Sequence, residues 1–183
     1  FEKLIESEQM PTTSQVAPFE YEEAFERIKQ AGDTAVCITI SSKLSGCYQS
    51  ANIAIDGYED CIEIVDSNNV CIGEQILTLR AVNLRDSGKR AKEIADTLNE
   101  EKNNIKLIAL LDTLEYLRKG GRISSAAAIA GSMLSIKPVL HVDDAGKLIN
   151  VSKARGRKGS IAALAAKMKE TAIDPSEQTV FIS

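Results

Sequence analysis

The chain has 183 residues, about 1.2 times a nominal ~150-residue domain, so it holds one large α/β domain or two small ones, either able to bury a core. Its 22 Lys+Arg against 26 Asp+Glu leave a formal charge of −4 and a pI near 5.2, which argues against nucleic acid as the principal partner. Aromatics make up 4% with no Trp, too few for a base-stacking platform, and the longest uncharged apolar stretch, Ile123 to Ile136, is rich in Ala, Ser and Gly and too short to span a bilayer.

In chain order, Phe1, Leu4 and Ile5 fall on one face of what reads as a helix end, and a helix is expected over Phe19 to Gln30, stopping at Gly32. Thr34 to Ile40 is a near-continuous β-branched run, the pattern of a strand buried on both faces, and Cys61 to Val65 is a second. Between them Leu44 to Ile55 reads as a helix; after them Val70 to Leu84 reads as another. Ser87 is positioned to N-cap a further one, with Ala91, Ile94, Ala95 and Leu98 at helical spacing. Alternating strands and helices imply a parallel sheet.

The rhythm changes after Asn103-Asn104. Ile105 to Leu111 reads as a strand, Leu114 to Lys119 as a helix with Asp112 as its cap, and Ser124 to Met133 as a closely packed helix of small residues. Ile136 to Val142 and Lys147 to Val151 flank Asp143-Asp144-Ala145-Gly146, a strong hairpin signal, and Thr179 to Ile182 is again strand-like. The expectation is a parallel-sheet, Rossmann-like α/β first domain over residues 1–104 and an α+β second domain with antiparallel strands over 105–183. Both ends read as interruptions, so each domain is expected to be cut short.

Four segments offer chemistry. Ser41-Ser42-Lys43-Leu44-Ser45-Gly46-Cys47 lies where a strand hands over to a helix, and its hydroxyls with free N–H groups favour a carboxylate or phosphate, or else simply cap the helix. Met10 to Gln15 is a second hydroxyl-rich turn. In Gly120-Gly121-Arg122-Ile123-Ser124 two glycines permit a tight turn that presents Arg122, whose planar donor fork suits a carboxylate or pairs with a local Asp. Lys153 to Lys158, with Arg155 and Arg157, is a basic cluster, either a solvated helix start or a contact for an acidic partner. No Walker or GxGxxG pattern supports a nucleotide site. The single histidine, His141, sits in a strand run without partners for a triad or metal, and Cys37, Cys47, Cys61 and Cys71 form no CxxC pair. Cys37 and Cys61 read as small buried hydrophobes in a reducing cytosol.

These segments, in order along nearly the whole chain, resemble the DegV family, the fatty-acid-binding B subunits of bacterial fatty acid kinase. The resemblance rests on Thr13-Ser14-Gln15, on Ser41 to Ala51, on Val65-Asp66-Ser67, on Asp112-Thr113-Leu114-Glu115-Tyr116-Leu117-Arg118-Lys119-Gly120-Gly121-Arg122-Ile123-Ser124, on Ile136 to Leu140 and on Arg155 to Lys158. It implies a long-chain fatty acid in a tunnel between two domains, its carboxylate held by Thr13 and Ser45 with Arg122 nearby. Ser41, Ser42, Gly46 and Cys47 would lie near the head group, with Cys47 standing where the family usually has Thr. Arg155 or Arg157 would dock a kinase subunit that carries ATP and makes the acyl phosphate for phospholipid synthesis. The chain itself would be a bacterial, cytoplasmic substrate-presenting subunit, with no catalytic residue, cofactor, metal or nucleic acid, and with room for transient contact with a membrane surface. Two family segments, an N-terminal Asp-Ser-Thr strand and a C-terminal His in a Gly-Pro-Gly loop, lie outside the sequence. The alternatives are the substrate-binding part of a dihydroxyacetone-kinase-like enzyme, or a regulatory domain with adventitious lipid.

Overall fold

The structure is a computed structural model that describes residues 12–123 and 136–182. Helix α1, Pro18–Ala31, begins with a proline at its first turn and with the Glu20 carboxylate accepting the Ala17 N–H at 2.9 Å; it stops at Gly32 in the left-handed region, φ 72. Strand β1, Ala35–Thr39, pairs in parallel with β2, Ile62–Asp66. The alternation along β1 sends Ala35 and Cys37 to a cluster with Phe25, Ala51 and Ala54, and Val36 and Ile38 to one with Leu77, Ile94, Ala95 and Leu98. The first cluster joins the sheet to α1 and to α2, Cys47–Ala54; the second joins it to α3, Ile72–Asp86, and α4, Ala91–Glu101. The β-branched run is thus covered on both faces, as expected, and the alternating elements form a three-layer α/β unit.

After a 3₁₀ turn, Lys102–Asn104, comes an antiparallel sheet in the order β3, Ile108–Leu110, β4, Ile136–Val142, and β5, Leu148–Arg155. One face of it packs Leu140 and Leu148 against Leu114, Leu117 and Ile123 around the short helix α5, Glu115–Lys119. Helix α6, Gly156–Thr171, packs against all three of its strands. Pro138 lies in the middle strand, where a missing N–H is normally excluded; the register shifts at Val139/Leu140, next to it, so the gap in the ladder falls beside an irregularity. The hairpin follows the Asp143 to Gly146 signal: Asp143 Oδ1 accepts the N–H groups of Ala145 and Lys147, and Gly146 takes φ 79. No helix among the described residues is long and apolar enough to cross a membrane.

Several sequence expectations need correction. Ser87 closes α3 instead of opening α4: its hydroxyl donates to the Asn83 carbonyl at 2.8 Å and left-handed Gly88 follows. The Glu93 carboxylate, accepting Arg90 N–H at 3.1 Å, caps α4 in its place. Asp112 does not cap α5, because its carboxylate pairs with Lys137 at 2.8 Å, while Thr113 Oγ1 accepts the Glu115 N–H at 3.1 Å. Helix α2 starts at Cys47, not Leu44, since Ser41 to Ser45 is a turn closed by Leu44 N–H and Ser45 N–H on the Ser41 carbonyl. Strand β3 is shorter than Ile105 to Leu111, β5 runs on to Arg155, and Thr179 to Ile182 forms no strand. The expected elements at Phe1 to Ile5 and Ser124 to Met133 lie outside the described residues.

Candidate functional site

The carboxyl ends of β1 and β2 open onto a small, dense polar region. Ser41 is fully buried; its hydroxyl accepts the Lys43 N–H at 3.2 Å and donates to the Gly146 carbonyl of the hairpin at 2.7 Å. Asp66 accepts the N–H groups of Ser42 and Asn68 at 3.2 and 3.0 Å. Asn68 Nδ2 reaches the Asp144 carbonyl at 3.3 Å, and Lys106 pairs with Asp144 at 2.7 Å. The turn after β1 and the hairpin between β4 and β5 are therefore bonded across the line between the two sheets. Burial lowers the Lys102 ammonium below its ordinary range, against the opposing charge of Asp66, whose carbonyl it meets at 2.9 Å.

The segment carrying Thr13, which forms no turn over residues 12–17, is tied to the same place; Met10 and Pro11 lie outside the described residues. Gln15 Nε2 donates to the buried Ser50 hydroxyl at 3.0 Å, and Gln15 lies so close over Gly46 that a Cβ there would run into its side-chain amide. Thr13 itself is exposed. Ser45 Oγ accepts the Cys47 N–H at 3.2 Å and touches Cys47 Sγ at 3.1 Å. Arg122 Nε donates to the carbonyl of Leu44, the residue before Ser45, at 3.2 Å, and its Nη1 donates to the Gly120 carbonyl. The guanidinium carries five N–H donors, so these two carbonyls leave others to meet a ligand. No Asp is among its bonded partners in the described residues; backbone carbonyls set its position.

An open groove of about 840 Å³ runs from this corner along β5, within the size range of small-molecule sites. Leu44, Ile123, Leu148 and Val151 give it an apolar lining, and Lys43, Arg122, Lys147 and Lys153 a cationic one. Asn150 also lines it, with a buried Oδ1 that has no protein partner among the described residues. The sequence singled out Arg122 but not Lys43, Lys147 or Asn150: their place depends on the hairpin meeting a turn 105 residues away, which no local pattern encodes. Arg155 and Arg157 do not join this corner. Both are exposed where β5 meets α6, and Arg155 stands about 23 Å along β5 from Leu148 at ~3.3 Å per residue.

Burial alone would push the Cys47 thiol up, but hydrogen bonds from Ser45, the Val16 backbone and Tyr21 outweigh it and set the thiol below its ordinary value. Burial, with the nearby Cys47, pushes Cys37 up to about 11. At pH 8, iodoacetamide is therefore expected to label Cys47 well ahead of Cys37, by about tenfold or more as read by peptide mass mapping. Equal labelling would contradict the hydrogen-bonded thiol at the start of α2. His141 is half-buried in β4 with Nδ1 on the Leu107 carbonyl at 2.9 Å, the setting of a structural histidine. No group of three His, Cys, Asp or Glu among the described residues is arranged to hold a metal.

Residues 1–183 match the family model described as "Uncharacterised protein, DegV family". A DegV domain-containing protein of Clostridium perfringens is 42% identical over 179 residues, 95% of this chain and 62% of that protein. A fatty-acid-binding DegV family protein from Thermus thermophilus superposes with a TM-score of 0.82 at 29% identity, over 93% of this chain and 61% of its own. The Streptococcus pneumoniae fatty acid kinase B3 protein, loaded with linoleic acid, superposes with a TM-score of 0.81 at 25% identity, over 92% of this chain and 60% of its own. The chain thus spans less than two thirds of these relatives' lengths. Matched along its whole length by the family model, and sharing its fold with these structures, the chain belongs to the DegV family.

Proposed function

We propose that the chain binds a long-chain fatty acid in a tunnel between an α/β first domain, residues 1–104, and an α+β second domain, residues 105–183, and presents it to a kinase subunit. Thr13 and Ser45 hold the carboxylate, with Arg122 beside them. The observation that carries the reading is the bond from Arg122 to the Leu44 carbonyl, which sets a guanidinium next to Ser45 at the end of a groove with apolar walls. The T. thermophilus and S. pneumoniae relatives, one a fatty-acid-binding protein and the other loaded with linoleic acid, support it.

The chemistry is coherent. A carboxylate taken from water is costly unless its oxygens are hydrogen-bonded. Two hydroxyls and one guanidinium meet them while leaving the acyl chain to supply affinity, at about 0.8 kcal/mol per buried CH₂. ATP is carried by the partner, which forms the acyl phosphate for phospholipid synthesis in the cytoplasm, while this chain supplies and orients the acid. Arg155 and Arg157, exposed at the β5–α6 joint, serve as the docking surface for that subunit. A kinase of the dihydroxyacetone type, holding its substrate on a histidine, gains no support from His141, whose Nδ1 is bonded within the sheet.

Denaturing mass spectrometry of the full-length protein purified from its host is expected to release a C14–C20 acid, and Arg155→Glu with Arg157→Glu is expected to retain that acid while losing coupling to the kinase. A protein without a co-purifying acid would overturn the binding reading; a charge-reversed variant that still couples would overturn the docking surface alone.

A further inference from the structure

Asn150 is out of keeping with its surroundings. It pairs with Leu140 in the β4–β5 ladder and lies two residues along β5 from Leu148. It therefore stands on the face of the sheet where Leu140 and Leu148 pack with Leu114 and Ile123. On that apolar face its Oδ1 is buried and has no hydrogen-bond partner among the described residues. An amide oxygen taken from water without a partner costs free energy, and such an atom in a folded protein marks a place that a water or a ligand fills. Thr39 Oγ1 and Asn69 Oδ1 share the state, but neither residue lines the groove; Asn150 does. The ladder also breaks beside it. Leu140 faces Asn150 and Val139 faces Ser152, which leaves Val151 as an extra residue in β5. Such bulges re-aim the side chains next to them and recur beside functional sites.

The oxygen accepts and does not donate, so its partner brings an N–H or an O–H. Lys43, Arg122, Lys147 and Lys153 line the same groove and no Asp or Glu does so among the described residues, which sets the potential against an ammonium donor. A neutral donor remains, and on a hydrocarbon chain that is a hydroxyl. Its place along the chain follows from β5. Lys147 is next to Gly146, whose carbonyl accepts the Ser41 hydroxyl at 2.7 Å, and so belongs to the head-group corner. Asn150 lies three residues further on, about 10 Å at ~3.3 Å per residue. An extended alkyl chain of ~1.52 Å bonds advances about 1.3 Å per carbon, so about eight carbons cover that distance.

We propose that Asn150 is a specificity-determining residue that selects a long-chain acid carrying a hydroxyl near the middle of its chain, with Asn150 Oδ1 accepting the hydroxyl proton. The inference rests on the fatty-acid reading above and adds a second polar subsite to it. An unsubstituted acid leaves the amide oxygen to a water, and an oxo acid, which has no donor, does the same.

Displacement of a fluorescent fatty acid from the full-length protein by octadecanoate, 10-hydroxyoctadecanoate and 10-oxooctadecanoate tests this, in the wild type and in Asn150→Leu. The wild type is expected to prefer the hydroxy acid to the oxo acid by about tenfold, and Asn150→Leu to abolish that preference while binding octadecanoate at least as well. 2-Hydroxyoctadecanoate, whose hydroxyl stays at the head-group corner, is expected to lose less than about twofold in the variant. The wild-type ranking needs no substitution. The variant's melting temperature, expected to hold or rise as a leucine replaces an unpaired amide, is the control on folding. Equal wild-type affinity for the hydroxy and oxo acids, or a preference that survives Asn150→Leu, would overturn the proposal and leave the fatty-acid reading standing on octadecanoate. A protein that binds none of these acids overturns the fatty-acid reading and this inference with it.

Discussion

A protein carrying Thr13→Val and Ser45→Ala together is expected to bind long-chain fatty acids about 100-fold more weakly, or worse, in displacement of a fluorescent fatty acid. Hydrogen bonds to a charged acceptor are worth about 1.5–3 kcal/mol each, and every ~1.4 kcal/mol is a factor of ten. The fold is expected to survive. Thr13 is exposed, and Ser45 contributes one acceptor, for the Cys47 N–H, whose loss costs about 1 kcal/mol and lowers the melting temperature by about 2–4 °C. Undiminished affinity in a folded double variant would remove both hydroxyls from the head-group site.

Gly146→Ala is expected to be strongly damaging for a single added methyl. The residue sits at φ 79, where an L side chain is strained, and an added Cβ would collide with the Ser41 hydroxyl and lie 3.2 Å from Asn68 Cα. Strain and collision together predict a loss of about 2–4 kcal/mol, a fall in melting temperature of roughly 5–12 °C, and weakened fatty-acid binding as the hairpin is pushed off the Ser41 turn. Gly57→Ala is the control: φ there is 85 but nothing lies within 4 Å, so only the backbone cost of about 1–2 kcal/mol remains and binding is unaffected. Equal effects of the two substitutions would mean that the Ser41 contact contributes nothing.

The elements that could be read from sequence are those whose signal is local. The run Ala35 to Thr39 is apolar on both faces because both faces are covered, and Asp143 to Gly146 carries its own turn chemistry. Errors arose where two residues competed for one role. Ser87 is as good a helix opener as closer, and a glycine after it decides the matter. Asp112 is as good a cap as Thr113 until Lys137, 25 residues away, claims its carboxylate. Within the candidate site, Thr13, Ser45 and Arg122 were visible through the family pattern, and Arg122 also through its Gly-Gly turn. Lys43, Lys147 and Asn150 were not, because what distinguishes them from other surface polar residues is the groove that they share, and that groove is a product of the fold.

The bond from Ser41 to Gly146 spans 105 residues and joins one sheet to the other. Closing so long a loop is entropically slow relative to pairing β1 with β2 or turning the β4–β5 hairpin, each of which needs partners much nearer in sequence. The groove, walled on one side by Lys43 and Leu44 and on the other by β5, has no counterpart in either half alone. During synthesis the Ser41 turn is made long before the hairpin that completes it. The corner where the Ser41 turn meets the hairpin therefore depends on a long-range docking step, and a chain that has not made it has no finished groove.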